Sequence, residues 1–505
     1  MTRTTLPPDP RPDPGPASDS APAPEHDLDL DHDHDHDAEP VPEPDRAAAP
    51  AARRRLLLWA LPLPPALLFV AALPRLVRPP LLLPLACYGL LVLGLTIAVL
   101  HLAYGRYRDP ATDTPPRRPH GLDRFPPLPE LPRVSFLLAV KDERDGIEDC
   151  VRSMAASDYP ALRIIVVDDG STDGTDEVLR RLAGELPIRV LYLERNVGKK
   201  RALVRAAAHA DGEILAFTDS DCVLAPDALR RCVAALVRHP ELGAVSGHAR
   251  VRNADDGLLT RLQDVWYEGQ FRIAKAAESA VGSVTCVSGP LAVFRRDAVY
   301  NYLPAWADDR FFGAEFRFAT DRQLTGYVLG QFRHGARLKR RHRHSPFVRG
   351  TSFPELPWRV GYVASARVLT TAPARLRPFL RQQVRWKKSF LRNLCFTGGF
   401  MWRRGPGAAA LFYGHALLVL AAPAMVVRHL LWAPLAGLWP LTALYLSGIV
   451  AKGLLWGLAY RLDHPRCPRW RHRPLMSLLS ATLLSWLLPY ALVTIRRGVW
   501  SRSPR

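Results

Sequence analysis

Asp219-Ser220-Asp221 closes an apolar run, Ile214-Leu215-Ala216-Phe217. On an extended segment residues i and i+2 point to the same side, so the two carboxylates share a face. Two like charges that close are unfavourable unless something positive sits between them. A divalent cation with oxygen ligands meets that demand, and it usually brings substrate phosphates with it. The chemistry indicated is work on a nucleoside diphosphate. An acidic tripeptide is common by itself; its place after a strand-like run strengthens the reading.

Other residues carry chemistry of the same kind. Val166 to Thr175 (Val-Val-Asp-Asp-Gly-Ser-Thr-Asp-Gly-Thr) reads as a strand end, a tight turn and a helix start, with Asp173 placed to cap the helix. Asp168 and Asp169 there accept hydrogen bonds from a nucleobase or ribose, or they serve the turn. Asn196-Val197-Gly198-Lys199-Lys200 sets Gly at a helix start, where backbone and Lys approach an anion; a solvated basic helix start is the other reading. Ser288-Gly289-Pro290 interrupts an apolar run, as a corner past which a bulky ligand runs or as a plain turn. Asp321 is either a helix N-cap or a general base beside an acceptor hydroxyl. Gln382, Arg385 and Trp386 fall at i, i+3 and i+4, one helical face. Arg clamps phosphate and Trp gives a flat platform for a sugar ring. The same stretch also suits an amphipathic helix at a membrane surface, and both readings hold together.

These residues need a scaffold. Short β-type runs at Val134 to Val140, Arg163 to Val167, Ile188 to Leu193 and Glu213 to Thr218 alternate with helical patterns such as Thr175 to Ala183 and Lys199 to Ala210. That alternation predicts an α/β domain with a parallel sheet covered on both faces. Ligands of such sheets bind at the carboxyl ends of the strands, where Asp168, Asp169, Asp219 and Asp221 fall.

The 505 residues suffice for more than one domain. Residues 1–54 form a Pro/Asp/His-rich tail without apolar periodicity, expected to be disordered; its Asp31 to Asp37 tract reads as solvated rather than metal-binding. The start is no secretory signal peptide. Leu56 to Leu73 and Leu81 to Tyr104 are long enough to span a bilayer and read as a membrane hairpin over 55–104. Arg53 to Arg55 and Arg106 to Arg108 place both its flanks in the cytoplasm. A Pro-rich linker over 105–132 leads to the α/β domain at 133–349. Residues 350–405 read as Arg-rich interfacial helices. Apolar segments return over 406–495, at Ala408 to Val427, Leu430 to Tyr460 and Leu475 to Val493; the middle one is one span or two. Residues 496–505 are a basic tail.

With 68 Lys and Arg against 48 Asp and Glu, the chain carries +20, and its pI is about 10.1. That charge suits acidic headgroups or a phosphorylated substrate. No aromatic-basic interleaving or docking motif accompanies it, so nucleic acid is not an expected partner. Seven cysteines without a CxxC pair argue against a structural zinc site, their odd number argues against a full disulfide framework, and they read as reduced, cytosol-facing thiols.

Taken in order, Val167-Asp168-Asp169-Gly170-Ser171, Asn196-Val197-Gly198-Lys199, Asp219-Ser220-Asp221, Ser288-Gly289-Pro290, Asp321-Arg322-Gln323-Leu324-Thr325 and Gln382-Gln383-Val384-Arg385-Trp386-Lys387-Lys388-Ser389 resemble the processive family 2 glycosyltransferases. The likeness is greatest to hyaluronan synthases, then to chitin and cellulose synthases. It runs from about Arg133 to Asn393; each motif is modest, while six in order are specific. The resemblance implies a GT-A (Rossmann-like) domain inserted between N- and C-terminal transmembrane helices. It further implies a multi-pass cell-membrane protein with a cytoplasmic catalytic domain, a UDP-sugar donor, Mg²⁺ or Mn²⁺, and a polysaccharide or lipid-linked acceptor.

By the same resemblance Asp321 is the base. Glu143, Asp168, Asp169, Lys199, Asp219 and Arg385 bind the donor, and Asp219 and Asp221 the metal. Ser288, Gly289, Pro290, Gln382 and Trp386 face the acceptor. Two positions depart from the family pattern. Thr320 stands where an acidic residue usually precedes the base, and Asp142-Glu143 stands where the first strand usually ends in Asn-Glu. A non-processive transferase acting on a lipid carrier is the alternative reading. A transporter or scaffold that binds nucleotide-sugar without turnover is another, and the retained Asp321 argues against it.

Overall fold

The computed structural model describes residues 79–113, 122–318 and 320–497. The tail at 1–54, the first expected span, part of the linker and all but the start of the basic tail lie outside them.

The strands are β1 (Val134–Val140), β2 (Leu162–Asp168), β3 (Ile188–Tyr192), β4 (Ile214–Phe217), β5 (Cys222–Leu224), β6 (Leu242–Val251), β7 (Ala292–Arg295), β8 (Arg310–Phe311), β9 (Ala314–Glu315) and β10 (Arg359–Thr370). Eight of them form one sheet in the order β3-β2-β1-β4-β7-β6-β10-β5; β8 and β9 make a separate ribbon. Each of the first four strands falls within a residue or so of the run that suggests it. Period-two alternation explains why. In β1, Leu137 and Ala139 enter one apolar core while Phe136 and Leu138 enter a second on the opposite face. β2 and β4 divide in the same way, so this part of the sheet is buried on both sides and its strands are continuously apolar. Helices α1 (Pro79–His101), α2 (Ile147–Ala155), α3 (Thr175–Glu185), α4 (Lys199–Ala207), α5 (Ala228–Arg238) and α6 (Leu258–Glu268) follow in chain order.

Two expectations change. The sheet is mixed rather than parallel: β4 pairs antiparallel with β7, as does β6, and β10 pairs antiparallel with β5. Strand direction is set by how the chain returns, which local patterning does not carry. Arg359–Thr370, expected within interfacial helices, is a strand lying between β6 and β5. The helical part of that region is α8 (Leu376–Thr397); α7 (Thr320–Leu329) precedes it.

Around β1 the strand order reverses, with β2 and β3 on one side and β4 on the other. A crevice opens at such a switch point, outside the carboxyl ends of the strands.

Among the described residues four helices are long and apolar enough to cross a membrane: Pro80–Arg106, Pro406–Leu435, Trp439–Asp463 and Pro468–Val493. The long segment expected at Leu430 to Tyr460 resolves into the end of one helix and a single helix, Trp439–Asp463.

Candidate active site

The floor of the crevice is built by carboxylates that hold loops. Asp168 Oδ1 accepts from Ser171 N–H at 3.0 Å and from Ser171 Oγ at 2.5 Å. Asp169 accepts from Val197 N–H at 2.7 Å and Gly198 N–H at 2.9 Å. Asp169 therefore ties the end of β2 to the loop that opens α4 and presents Lys199. Gly170 sits between them at φ +67°, and an added Cβ would lie 2.9 Å from the Arg195 backbone carbon, so the turn needs glycine. At the end of β1, Asp142 takes the left-handed backbone (φ 52°) and accepts from Thr172 N–H at 2.8 Å. Glu143 N–H donates to Thr175 Oγ1 at 2.9 Å, joining β1 to the start of α3.

Past β4 stand Asp219 and Asp221. Lys199 Nζ donates to Asp219 Oδ1. Burial opposes charge on Lys199, but the Asp219 carboxylate outweighs it and holds the ammonium above its usual value. Burial and then the Asp219 charge push the Asp221 carboxyl up. A half-buried carboxylate pair in this state suits a cation. Gly289 leaves room beside it: a Cβ there would press on the Asp219 carboxylate, 2.8 Å from Cγ and 2.9 Å from Oδ1. The donor set is oxygen only, which suits Mg²⁺ or Mn²⁺. Among the described residues no group of three or more His, Cys, Asp or Glu is gathered for a metal. Two carboxylates therefore fit an ion that draws its other ligands from phosphate and water.

The opposite wall is helical. Asp321 lies in the first turn of α7, where its Oδ1 accepts from Arg322 N–H at 2.8 Å. Thr320 contributes its carbonyl to Trp306 Nε1 at 2.8 Å. On α8, Gln382, Arg385, Trp386, Ser389 and Asn393 line one cavity, as their three- and four-residue spacing requires. Burial pushes the Arg385 guanidinium down, while Asp219 and Asp221 act to hold its charge. Trp386 stacks on Trp266 of α6, with ring centroids 5.3 Å apart and planes at 19°. Gln382 Oε1 is buried without a protein partner.

Three helices are locked together behind this wall. Lys200 Nζ donates to Gln323 Oε1 at 2.6 Å and Phe316 O at 2.8 Å and lies 3.3 Å from Asp309 Oδ2. Asp309 Oδ1 accepts from Arg392 Nη2 at 2.7 Å. The buried Asp309 thereby ties α4, which presents Lys199, to α8, which presents Arg385; Lys200 adds α7 through Gln323. Burial pushes Lys200 down to about 8 despite the Asp309 charge.

The cavity, of about 740 Å³, gathers Lys199, Asp219, Asp221, Ser288, Gly289, Pro290, Asp321, Gln382, Arg385 and Trp386. It continues between the apolar helices, past Tyr88, His415, Lys452 and Ser477. Glu143, Asp168 and Asp169 are not among its lining residues. They stand at the ends of β1 and β2, and Asp168 and Asp169 hold the walls through backbone bonds. Trp266, Tyr267, Lys275, Glu278 and Cys286 also line it and were not singled out from sequence. Trp266-Tyr267 is an aromatic pair on a helix, with no local spacing that separates it from core. Cys286 stands two residues before the Ser-Gly-Pro corner, a proximity that was available as a signal.

Residues 135–303 match the sequence family described as Glycosyl transferase family 2. An N-acetylglucosaminyltransferase of Azorhizobium caulinodans is 32% identical over 270 residues, covering 53% of this chain and 62% of the relative. One of Rhizobium meliloti is 33% identical over 267 residues, covering 52% and 57%. The chain thus spans about three fifths of the length of these relatives. A hyaluronan synthase of Streptococcus pyogenes is 26% identical over 379 residues, covering 73% and 82%. Among solved structures, a mannosyltransferase of Pyrobaculum calidifontis in complex with GDP-Man and Mn²⁺ is similar with a TM-score of 0.45 and 22% identity, covering 81% of this chain and 98% of that one. A glucosyl-3-phosphoglycerate synthase of Mycobacterium tuberculosis with Mn²⁺ and UDP scores 0.33 at 19% identity, covering 53% and 79%.

Proposed function

We propose that this chain, whose residues 135–303 match the glycosyl transferase family 2 model, is a membrane-embedded, inverting transferase with a GT-A, Rossmann-like domain. It moves a sugar from a UDP-sugar onto a growing polysaccharide. One observation carries the reading. A single cavity joins an acidic pair, a separate carboxylate and an Arg-Trp face, then runs on between apolar helices.

The roles follow from position. Asp219 and Asp221 would hold Mg²⁺ or Mn²⁺, which when bound supplies positive charge to the diphosphate. Lys199 and Arg385 add cationic charge beside the same pair, where charge builds as UDP leaves. Asp321 accepts the proton of the acceptor hydroxyl as that oxygen bonds to the anomeric carbon. The bond from that carbon to UDP breaks on the opposite side, so configuration inverts. Trp386, backed by Trp266, offers a flat surface to the acceptor sugar, and the buried, unpartnered Gln382 Oε1 is free to take a hydroxyl. Asp168, Asp169 and Glu143 act on the donor side by shaping the end of the sheet. Ser288-Gly289-Pro290 keeps the acceptor end clear of side-chain bulk next to Asp219. In this reading the protein is a multi-pass membrane protein with its catalytic domain on the cytoplasmic side, supported by the apolar helices, and the cavity between them is the route for the polymer.

The test is UDP release from membranes bearing the protein, across a panel of UDP-sugars with Mn²⁺ or Mg²⁺, followed by sizing of the product. Asp321→Asn is expected to lower the rate roughly 10²- to 10⁴-fold. Release at the parent rate would overturn the assignment of the base. A product carrying one added sugar on a lipid would replace the polymer reading with a lipid-acceptor one.

A further inference from the structure

Cys286 lines the cavity beside Asp321, and its thiol reaches the carboxylate. Sγ lies 3.2 Å from Asp321 Oδ2, with the thiol as donor. The other carboxylate oxygen is also held, since Arg322 N–H donates to Oδ1 at 2.8 Å. Both oxygens are therefore aimed by protein groups.

The thiol is not carried on a loose loop. Lys275 Nζ donates to Cys286 O. Val287 N–H donates to Thr325 Oγ1 at 2.9 Å, and the same hydroxyl donates to Asp321 O at 2.8 Å. The backbone at 286–287 is thus tied to the first turn of α7 by a bond that also touches Asp321. Burial, followed by the Asp321 charge, pushes the thiol up to about 12, so it remains a donor at ordinary pH. The remaining charged groups near the pair are Lys275, Glu278 and Arg322.

We infer that Cys286 is a positioning residue for the transfer reaction: its thiol fixes Oδ2 of Asp321 so that a remaining lone pair faces the acceptor hydroxyl. This rests on the reading of Asp321 as the base. The thiol forms no covalent bond and exchanges no electrons. A weak donor suits the task, because S–H orients a carboxylate while removing little of its basicity. A stronger donor in the same place holds the oxygen more firmly and makes it a poorer base.

The experiment has two arms on the full chain in membranes. The first compares kcat and the donor KM of the parent, Cys286→Ala and Cys286→Ser. Without the thiol Oδ2 is free to turn from the acceptor hydroxyl, so Cys286→Ala is expected to lower kcat several-fold while the donor KM holds. Cys286→Ser, which keeps a donor, recovers part of the loss. A Cys286→Ala protein with the parent's kcat overturns the inference. The second arm follows alkylation of Cys286 by N-ethylmaleimide, read peptide by peptide, in the parent and in Asp321→Asn. Removing the neighbouring charge favours thiolate, so alkylation is expected to be several-fold faster in Asp321→Asn. An unchanged rate overturns the contact. If no UDP-sugar gives turnover in the parent, the functional reading fails by itself. The alkylation arm still decides whether Cys286 and Asp321 act as a pair, and it needs no Cys286 variant to fold.

Discussion

Gly289→Ala tests how the acidic pair is built. Glycine at 289 lets the Ser-Gly-Pro corner lie directly against Asp219. An added Cβ would stand 2.8 Å from the carboxyl carbon and 2.9 Å from Oδ1, with Oδ2 nearer still. Ordinary contact for such atoms begins near 3.5 Å, so the carboxylate must retreat by about 1 Å. Its side chain retains 29% exposure, so it can rotate toward the cavity without unpacking the core. The fold therefore loses little, while the carboxylate proposed to hold the metal is displaced. A misplacement of about 1 Å in a reacting constellation costs roughly 100-fold in rate, about 2.7 kcal/mol of barrier. The assay is UDP release against Mn²⁺ concentration, with thermal unfolding in detergent as the control for folding. Expected are a loss of roughly 100-fold, a metal midpoint displaced to higher concentration and an unchanged melting temperature. Gly184→Ala on α3, where a Cβ meets open space, is the matched control and should leave turnover unchanged. A Gly289→Ala protein with the parent's rate and metal midpoint would refute the argument that the corner positions Asp219.

Two further outcomes follow from buried charge. Asp309→Ala leaves Lys200 and Arg392 buried without their shared carboxylate, and should cost about 3–5 kcal/mol in denaturant unfolding; an unchanged midpoint would show the cluster to be solvated. Burial and then Arg322 push Lys387 down to about 8, against about 10.4 in an unfolded chain. Between those values the unfolded chain binds the proton and the folded chain does not. Stability therefore rises with pH through that window, and the full penalty of the buried charge is present below it. Lys200 adds a slope of the same sign. Lys387→Met should flatten the climb in melting temperature between pH 8 and pH 10, and a slope equal to the parent's would remove Lys387 as its source.

Much of this protein is written in short-range pattern. The burial of β1, β2 and β4 on both faces is legible as continuous apolar runs. The shared face of Gln382, Arg385 and Trp386 follows from a period near 3.6; Asp219 and Asp221 lie past the end of β4, where a turn at Ser220-Asp221, rather than a period of two, brings both to the cavity. Each depends on neighbours a few residues away, and backbone geometry alone converts spacing into direction. The apolar helices are legible for the same reason, by length and composition.

What lay beyond the pattern depends on residues far apart in the chain. The thiol of Cys286 meets Asp321 across 35 positions, and Lys200 meets Asp309 across 109. Trp266 and Trp386 stack only because side chains of α6 and α8 meet across a long stretch of chain. The turn of β4 against β7 and the insertion of Arg359–Thr370 beside β6 are settled by which surfaces bury one another. Asp168 and Asp169 show the division most plainly. Their place at the end of a strand was evident, yet it is the arrival of the Asn196-Val197-Gly198 loop that gives the Asp169 carboxylate its bonds. Local spacing sets which way a side chain points; what it meets there is decided by long-range packing, because contact requires two distant segments to exclude water from the same space.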